Sequence, residues 1–310
     1  MRAIGASLWP VIEIESTGVP IERWNGCGNA FQILDLRGRS AKIVSGTIAR
    51  APDLARRAAA PERGAGVDGL VLMLDEPGAD VRTAMWNPDG SRGAICGNAL
   101  RCITHWIADE RAAATVALEM VSDVGRHPAR ARRDGQGHWH AEVRLGRASF
   151  DAESLPLDTG HGSVVAQSAG GPWRVAVDLD SERREGLALS VGNPHLIVPL
   201  EGPPTDVDVV RHGASLERSA AFPDRVNVSF VQVVSPTELR QRTFERGAGE
   251  TLACGSGACA SVVALTTTGT LERGAQVTVH MAGGDLGVTW TRDGELWLSG
   301  ATERETPPPQ

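Results

Sequence analysis

The chain has 310 residues, of which 41% are hydrophobic and 22% are charged, and its formal net charge is -7. This is the composition of an ordinary globular protein, long enough for two domains. The basic residues do not gather into one stripe. The densest basic run, residues 126–133, is interrupted by Pro128 and is predicted to be a solvated turn. A nucleic-acid partner is therefore not expected.

Neither a membrane span nor a secretion signal is predicted. No apolar run approaches the roughly 20 residues that cross a bilayer. Residues 1–16 lack the basic region and the sustained apolar core of a signal peptide. The five cysteines are an odd number at low density, which favours free thiols in a reducing compartment. We therefore expect a cytoplasmic protein with no membrane partner.

Short alternating or β-branched runs bounded by Gly, Pro or Asp predict strands along most of the chain. In chain order, these runs are FQILDL, AKIVSG, GLVLML, HWHAEVRL, WRVAVDLD, LALSVG, HLIVPL, RVNVSFVQVV, QVTVHM, LGVTW and ELWLSG. Helices are predicted for PDLARRAAA, GNALRCITHWIADERAA, TDVDVVRHGASLER and SGACASVVALTTTG. Strands dominate without a regular βαβ alternation, so the predicted fold class is α+β.

The turn-prone stretch at residues 134–137 predicts a domain boundary. We expect an N-terminal domain at residues 1–136 that carries Cys96 and a C-terminal domain at residues 137–296 that carries Cys254. The last strand, at about residues 297–310, could return to the N-terminal domain. The final residues, TERETPPPQ, are predicted to be disordered.

Two cysteines each open a helix-like run of small residues. Cys96 begins CGNALRC, and Cys254 begins CGSGACAS. A helix N-terminus has unpaired N–H groups and a partial positive charge, so it can hold an anion and stabilise a thiolate where the side chains are small. One such cysteine alone would more often be a buried structural residue. Two matched segments favour a functional role for both thiols.

The other cysteines are interpreted differently. Cys102 and Cys259 fall on apolar faces of predicted helices and are expected in the core. Cys27 precedes FQILDL, which alternates like a strand, so it is not predicted to be catalytic. Asn29, in the same glycine-rich turn, is a candidate ligand donor. No Cys-x-x-Cys pair and no phosphate-loop motif occur in the sequence, so no metal site is predicted.

Longer motifs resemble the diaminopimelate epimerase family. FERGAGETLACGSGACAS and MWNPDGSRGAICGNALRC are similar to the two cysteine motifs of the family. The resemblance continues, from about Trp24 to Trp297, in GCGNAFQILD, RGAGVDGLVLM, VGNPHLIVPL, FPDRVNVSFVQVVSPTELRQRTFERGAGET and VTVHMAGGDLGVTW. It implies two similar domains, each a mixed β-sheet curled around a central helix, with the active site in the cleft between them.

The resemblance also implies an activity. Members of the family interconvert LL- and meso-diaminopimelate, for lysine and peptidoglycan-precursor synthesis, without pyridoxal phosphate or any other cofactor. The implied partner is therefore this small-molecule substrate, and the implied assembly is a homodimer. Inversion requires one thiol to remove a proton while the other delivers one to the opposite face. Cys96 and Cys254 match these two catalytic positions.

Further site residues are implied one by one. His195 and Glu245 match residues that adjust the acidity of the thiols. Arg246 matches the arginine that holds the carboxylate at the far end of the substrate. The N–H groups after each cysteine would hold the α-carboxylate. The substrate-binding positions implied are Asn29, Asn87, Gly97, Asn98, Asn193, Asn227, Glu245, Arg246, Gly255 and Ser256.

Two positions depart from the family pattern. Ala30 stands where the family usually has aspartate, and Gly69 stands where some members have a glutamine ligand. Two alternatives stay open: a racemase of proline, hydroxyproline or histidine on the same fold, and a non-catalytic binding protein that kept the cleft. Arg246 favours a substrate with a second charged end, and the paired cysteines argue against a binding protein.

Overall fold

The computed structural model describes residues 19–60, 66–180 and 182–305. The prediction for residues 1–16 lies outside these ranges. The predicted disorder of TERETPPPQ is wrong for Glu303–Glu305, which form a strand, and the part of that prediction from residue 306 onward lies outside the described residues. The described chain divides into two compact units. The first comprises the residues up to Val143 together with those from Ala301 onward, and the second is Arg144–Gly300. Among the described helices, none combines the length and apolar character needed to cross a bilayer.

Strands make up most of the described elements, and few helices accompany them. In chain order the elements are β1 (Ile21–Gly26), β2 (Asn29–Asp35), α1 (Ala41–Ala59), β3 (Gly69–Leu74), β4 (Val81–Trp86), β5 (Arg92–Gly93), α2 (Gly97–Arg111), β6 (Thr115–Ser122), β7 (Gly125–Arg133), β8 (Trp139–Arg147), β9 (Val164–Gln167), β10 (Trp173–Leu179), β11 (Glu182–Ser190), β12 (Pro194–Leu200), α3 (Gly213–Glu217), β13 (Asn227–Ser235), β14 (Glu238–Glu245), β15 (Gly249–Thr251), α4 (Gly255–Thr267), β16 (Gln276–Met281), β17 (Gly284–Trp290), β18 (Glu295–Gly300) and β19 (Glu303–Glu305). A 3₁₀ turn at Ala152–Ser154 and a π-helical turn at Val207–His212 complete the set.

The two units share one pattern of strand pairing. In the first unit, β2 pairs antiparallel with β1 and parallel with β3, while β4 pairs antiparallel with β3 and parallel with β6. In the second unit, β12 pairs antiparallel with β11 and parallel with β13, while β14 pairs antiparallel with β13 and parallel with β16. The helix α2 follows β5 as α4 follows β15. The topology is therefore duplicated, and its mixed sheets confirm the predicted α+β class.

Each unit packs one helix against several strands. In α4 every residue from Gly257 to Leu265 is buried, and the helix contacts β11, β12, β13, β17 and β18. A helix that is apolar on all faces belongs in the interior of a protein. In α2 most of the residues are buried, and the helix contacts β1, β6 and β7. In each unit a cysteine directly precedes the first residue of this helix.

The prediction of a strand for AKIVSG is wrong. These residues begin α1, which continues to Ala59 with Pro52 inside it. Thr47, Ala51, Leu54 and Ala58 are buried along one face of this helix. A period of three to four residues becomes visible only over the whole segment, because six residues are too few to distinguish it from alternation.

The prediction of a solvated turn for residues 126–133 is also wrong. They lie in β7, where His127, Ala129 and Ala131 are buried, while Arg126, Arg130 and Arg132 are exposed. This is the alternation of a half-buried strand. Residues 134–137, the predicted domain boundary, form the turn between β7 and β8, where Asp134 N donates to His138 O at 2.9 Å. The chain passes from the first unit to the second after Val143.

The predicted helix TDVDVVRHGASLER forms in two parts. The π-helical turn Val207–His212 comes first, and the short helix α3 continues directly from it. The C-terminal β19 pairs antiparallel with β1, which places the last described strand in the first unit.

Candidate active site

Cys254 is the N-cap residue of α4, which confirms its predicted position at the beginning of a helix. Its sulfur accepts a hydrogen bond from Gly257 N at 3.4 Å and lies 3.5 Å from Ser256 Oγ. A Cβ atom at Gly257 would lie 3.0 Å from Gln241 Nε2 and 3.2 Å from the Cys254 sulfur. The absence of a side chain at Gly257 therefore allows the first turn of α4 to approach the sulfur closely.

A chain of hydrogen bonds leads to the same sulfur. His195 Nε2 lies 3.0 Å from Asn193 Oδ1, and Asn193 Nδ2 donates to Ser256 Oγ at 3.3 Å. Because an amide oxygen can only accept, His195 carries its proton on Nε2. Ser256 Oγ accepts from Asn193, so its own proton can be donated to Cys254 Sγ. Donors of this kind would stabilise a thiolate at Cys254.

His195 takes part in this chain as an uncharged group. The side chain is fully buried, and burial, together with the positive charge of Arg246, lowers the pKa of His195 to about 3. The imidazole is therefore neutral at physiological pH. Within the described residues its Nδ1 atom, also buried, has no hydrogen-bond partner. An influence of His195 on the thiol would thus pass through hydrogen bonds rather than through charge.

Arg246 lies in the turn after β14 and is held there by backbone contacts. Its N–H donates to Asn227 Oδ1 at 2.9 Å, and its Nη1 donates to Asp224 O at 3.2 Å. Asn227 Nδ2 donates to Pro194 O at 2.9 Å. Asn227 was expected to bind the substrate directly. Both of its amide atoms are engaged with backbone here, so the geometry gives it the task of holding the Arg246 turn against the beginning of β12.

Glu217 holds the same turn, although the sequence analysis did not single it out. Its carboxylate is buried, accepts from Gly247 N at 3.1 Å and lies 3.4 Å from Arg225 Nη1. The burial of Glu217 depends on how α3 packs, which the local sequence does not show.

Glu245 is the last residue of β14. Its carboxylate accepts a hydrogen bond from Thr251 Oγ1 at 2.5 Å.

Cys96 occupies the corresponding place in the first unit. It is the half-buried N-cap residue of α2, and its carbonyl accepts from Leu100 N at 3.0 Å. The N–H groups of Gly97 and Asn98 belong to the first turn, which has no preceding helical carbonyls to bond. The corresponding groups in α4 are those of Gly255 and Ser256. Both helix ends therefore offer N–H donors next to a cysteine.

Asn98 connects this helix end to a strand. Its Nδ2 donates to Asn29 Oδ1 at 2.7 Å, and its Oδ1 accepts from Arg101 Nη2 at 2.7 Å. The guanidinium also lies 3.6 Å from Cys27 Sγ and donates through Nη1 to Ala301 O at 2.9 Å. Arg101 was missed by the sequence analysis. Its only local signal is a charged residue within an apolar helical run.

The contact between Asn29 and Asn98 has a counterpart in the second unit. Asn29 begins β2 and Asn193 directly precedes β12, which are equivalent strands in the duplicated topology. Asn98 and Ser256 are each the second residue of their helix. In both units the residue after Cys-Gly therefore bonds to an asparagine at the beginning of the equivalent strand.

Asn87 also has an equivalent. It directly follows β4, as Arg246 directly follows β14. Its Nδ2 donates to Ser91 Oγ at 3.0 Å, and its backbone N donates to Ser91 O at 2.9 Å. Asn87 thus shapes the turn that leads to β5 and then to Cys96.

The two departures from the family pattern have local structural consequences. Ala30 N donates to Asp68 Oδ2 at 2.8 Å, and Asp68 N donates to Ala30 O at 2.7 Å. Asp68 thereby anchors the strand next to Asn29. A Cβ atom at Gly69 would lie 2.8 Å from Met85 Cε, so a longer side chain there would require Met85 to move.

The remaining cysteines lie where the sequence predicts them. Cys102 and Cys259 are fully buried. Burial raises the pKa of the Cys102 thiol and raises that of Cys259 to about 12. Cys27 lies in the turn between β1 and β2 with a φ of 54°, not at a helix end. Across the described residues, His, Cys, Asp and Glu side chains form no group of three or more suited to a metal ion.

Comparisons with known proteins add an independent line of observation. A family model described as diaminopimelate epimerase matches residues 187–304. A diaminopimelate epimerase from Desulfitobacterium hafniense is 35% identical over 281 residues, which cover 90% of this chain and 94% of that protein. One from Xanthomonas euvesicatoria is 38% identical over 278 residues, covering 88% and 89%. The chain belongs to the diaminopimelate epimerase family. The family predicted from the motifs is thereby confirmed.

Solved structures share the fold of this family member. A hydroxyproline epimerase from Agrobacterium vitis aligns with a TM-score of 0.61 at 15% identity, covering 93% of this chain and 90% of that one. A phenazine biosynthesis protein from Bacillus anthracis aligns with a TM-score of 0.58 at 15% identity, covering 92% and 96%. At such low identities the similarity concerns the fold alone.

Proposed function

We propose that this chain interconverts LL- and meso-diaminopimelate without a cofactor. The family supports the substrate, because relatives at 35% and 38% identity carry the name diaminopimelate epimerase. The observation that carries the chemistry is the duplicated helix end, where Cys96 and Cys254 each cap a helix that begins with small residues. A racemase of proline, hydroxyproline or histidine has no comparable support, since the alignment with the hydroxyproline epimerase concerns the fold alone.

The reaction requires two proton-transfer groups. Inversion of an α-carbon removes a proton from one face and delivers another to the opposite face, which one side chain cannot do alone. We assign these roles to Cys96 and Cys254, one as thiolate base and the other as thiol acid. In the reverse direction the roles exchange. One turnover leaves the base as a thiol and the acid as a thiolate, which are the protonation states for the reverse direction, so both groups exchange protons with solvent before the same direction runs again.

Charge stabilisation comes from the helix ends. Negative charge builds up on the α-carboxylate side of the substrate as the proton leaves. The N–H groups of Gly97, Asn98, Gly255 and Ser256 would donate to this carboxylate, next to the positive ends of two helix dipoles. The loss of one such donor typically costs about 3–4 kcal/mol of transition-state stabilisation.

The hydrogen-bond chain from His195 supports a thiolate at Cys254. Neutral His195 holds Asn193, Asn193 fixes Ser256 Oγ as an acceptor, and the Ser256 hydroxyl proton is left for the sulfur. Hydrogen bonds to a charged group are stronger than those between neutral groups. We infer that this chain favours Cys254 as the base in its resting state.

Arg246 would bind the carboxylate at the far end of diaminopimelate. A planar guanidinium can meet a carboxylate at two points. Asn227, Asp224 and Glu217 support its turn through backbone contacts. Two further residues would complete the binding site. Glu245 is the last residue of β14, and Asn87 directly follows the equivalent strand β4.

The setting of the reaction follows from the same proposal. Diaminopimelate is a precursor of lysine and peptidoglycan, so we place the enzyme in the cytoplasm, where its cysteines stay reduced. We also infer a homodimer, from the resemblance of the sequence to the family, and light scattering of the purified chain would test it.

A cofactor-free assay tests the proposed function. The purified chain is incubated with LL-diaminopimelate, and the stereoisomers are separated by chiral chromatography, with L-proline, trans-4-hydroxy-L-proline and L-histidine as parallel substrates. We expect the wild-type chain to turn over diaminopimelate and none of the three other amino acids. The Cys254→Ala variant should turn over none of the four. Turnover of another amino acid in its place would establish the alternative racemase. No α-proton exchange with any of them would indicate a binding protein.

A further inference from the structure

Arg101 carries a charge in the interior of the first unit. Its exposed fraction is 0%, and it lies in the second turn of α2, near the helix end that already has a partial positive charge. Its polar contacts among the described residues are Ala301 O, Asn98 Oδ1 and Cys27 Sγ, and none is a carboxylate. A buried charge without a carboxylate partner is costly. A contribution to stability alone does not account for a charge at this place.

The guanidinium determines how two amides are oriented. Arginine can only donate, so the atom of Asn98 that faces it must be Oδ1. Asn98 Nδ2 then points to Asn29 and donates to Asn29 Oδ1 at 2.7 Å. Asn29 is left with its Nδ2 group directed away from this contact. Within the described residues, Asn29 Nδ2 has no acceptor, and the side chain is only partly buried.

We propose that Arg101 is a positioning residue that acts through Asn98 to present Asn29 Nδ2 as a hydrogen-bond donor to a substrate carboxylate. The inference rests on the proposed function, since it names the residue that orients a contact to the same anionic substrate. An asparagine amide is a donor on one side and an acceptor on the other, and it can turn over. Without a fixed orientation, Asn29 would offer its carbonyl oxygen to the carboxylate in part of the molecules.

The Asn98→Asp variant separates positioning from stability. The introduced carboxylate would form a buried ion pair with Arg101, so the melting temperature should stay the same or rise. An ionised carboxylate can only accept, so Asn29 would turn its Nδ2 toward this carboxylate and its Oδ1 toward the substrate. The KM for LL-diaminopimelate should rise by about 10- to 150-fold, the effect of losing a hydrogen bond to a charged group. An unchanged KM in this stable variant would overturn the proposal.

A double-mutant cycle distinguishes this route from direct repulsion by the new carboxylate. Asn29→Ala removes the donor and should raise KM by itself. If residue 98 acts through Asn29, then adding Asn98→Asp to Asn29→Ala changes KM by less than about twofold. Additive effects of the two substitutions would overturn the proposal.

A matched pair of substitutions on α2 tests Arg101 itself. Arg101→Met should raise KM, whereas Arg111→Met should leave it unchanged, because Arg111 is exposed and pairs with Asp80 at the far end of the helix. Equal effects of the two variants would count against a specific role of Arg101. Should Arg101→Met fail to fold, the stable Asn98→Asp variant and its cycle still decide.

Side-chain amide exchange measured by NMR needs no substrate and therefore stands apart from the proposed function. In the wild-type protein the Nδ2 protons of Asn98 should exchange slowly with solvent and those of Asn29 rapidly. In Asn98→Asp the Asn29 protons should become protected, because the amide has turned over. Equal exchange of the Asn29 protons in both proteins would refute the proposed positioning of Asn29 by Arg101 and Asn98. This holds even if the protein proves inactive on diaminopimelate. Inactive wild-type protein with the expected exchange pattern would overturn only the proposed function.

Discussion

Removal of the Ser256 hydroxyl tests the hydrogen-bond chain in the second unit. Ser256 Oγ lies 3.5 Å from Cys254 Sγ and accepts from Asn193 Nδ2, so its proton is the one directed to the sulfur. Ser256→Ala deletes this donor and keeps the backbone N–H at the helix end. The substitution therefore separates stabilisation of the thiolate from binding of the carboxylate.

The expected magnitude follows from the contacts that stay. A hydrogen bond to a charged group contributes about 1.5–3 kcal/mol, which corresponds to about 10- to 150-fold in rate. Gly257 N still donates to the sulfur at 3.4 Å, so the thiolate keeps one donor. We therefore expect the lower part of the range, a loss of about 10- to 30-fold in kcat/KM at neutral pH.

The assay is the pH dependence of kcat/KM, in the direction for which Cys254 is the base. The deficit of Ser256→Ala should be largest at neutral pH and should shrink at alkaline pH, where the thiolate forms without help. Ser261→Ala is the matched control on the same helix. Ser261 Oγ is buried without a partner among the described residues, so its removal should leave activity unchanged and should not lower stability.

Two results would refute this reasoning. A Ser256→Ala enzyme within about twofold of wild type at neutral pH would show that the hydroxyl does not support the thiolate. A loss of the same size at every pH would indicate that the hydroxyl contributes to substrate binding or to folding instead.

Three further predictions concern stability, binding and thiol reactivity. His195 has a pKa of about 3 when folded against 6.5 for an exposed histidine, so the unfolded state binds more protons between these values and stability falls as pH falls through this window. The free energy of unfolding should change by at most about 1.4 kcal/mol per pH unit, and His195→Gln should reduce the pH dependence of the melting temperature over the same range. An unchanged pH dependence in this variant would exclude His195 as its source. Arg246→Lys should fold normally yet lose most activity through a higher KM, because lysine lacks the two-point contact; near-normal turnover would remove Arg246 from the site. Iodoacetamide followed by peptide mapping should leave Cys102 and Cys259 unmodified in the folded protein, because burial raises the pKa of both thiols, and early alkylation of either would contradict their core position.

Features that depend on local composition could be predicted from the sequence. The residues after Cys96 and Cys254 are small, and small residues after a potential N-cap are a local signal of a helix end that something else approaches. The buried helix α4 could be predicted because its apolar run is continuous. Most of the strands from FQILDL to ELWLSG likewise carry their pattern within a few residues, and AKIVSG, which lies in α1, is the exception.

Features that depend on tertiary packing could not be predicted. Arg101 and Glu217 are charged residues that become buried only when distant segments close over them, which no window around either residue shows. The engagement of Asn227 with backbone on two sides likewise depends on the pairing of β13 with β12 on one side and with β14 on the other. The equivalence of Asn29 with Asn193 became apparent only from the duplicated strand pairing, because the surrounding sequences share little beyond Gly-Asn.

The most direct test of the account follows hydrogen at the α-carbon in D2O. The reaction starts from one pure stereoisomer of diaminopimelate, and mass spectrometry measures deuterium in product and in recovered substrate at early times. With Cys96 and Cys254 acting on opposite faces, the product should carry deuterium from the first turnover while recovered substrate stays protium-rich. Product that retains the original hydrogen would contradict the two-thiol mechanism and require a single group to return the proton.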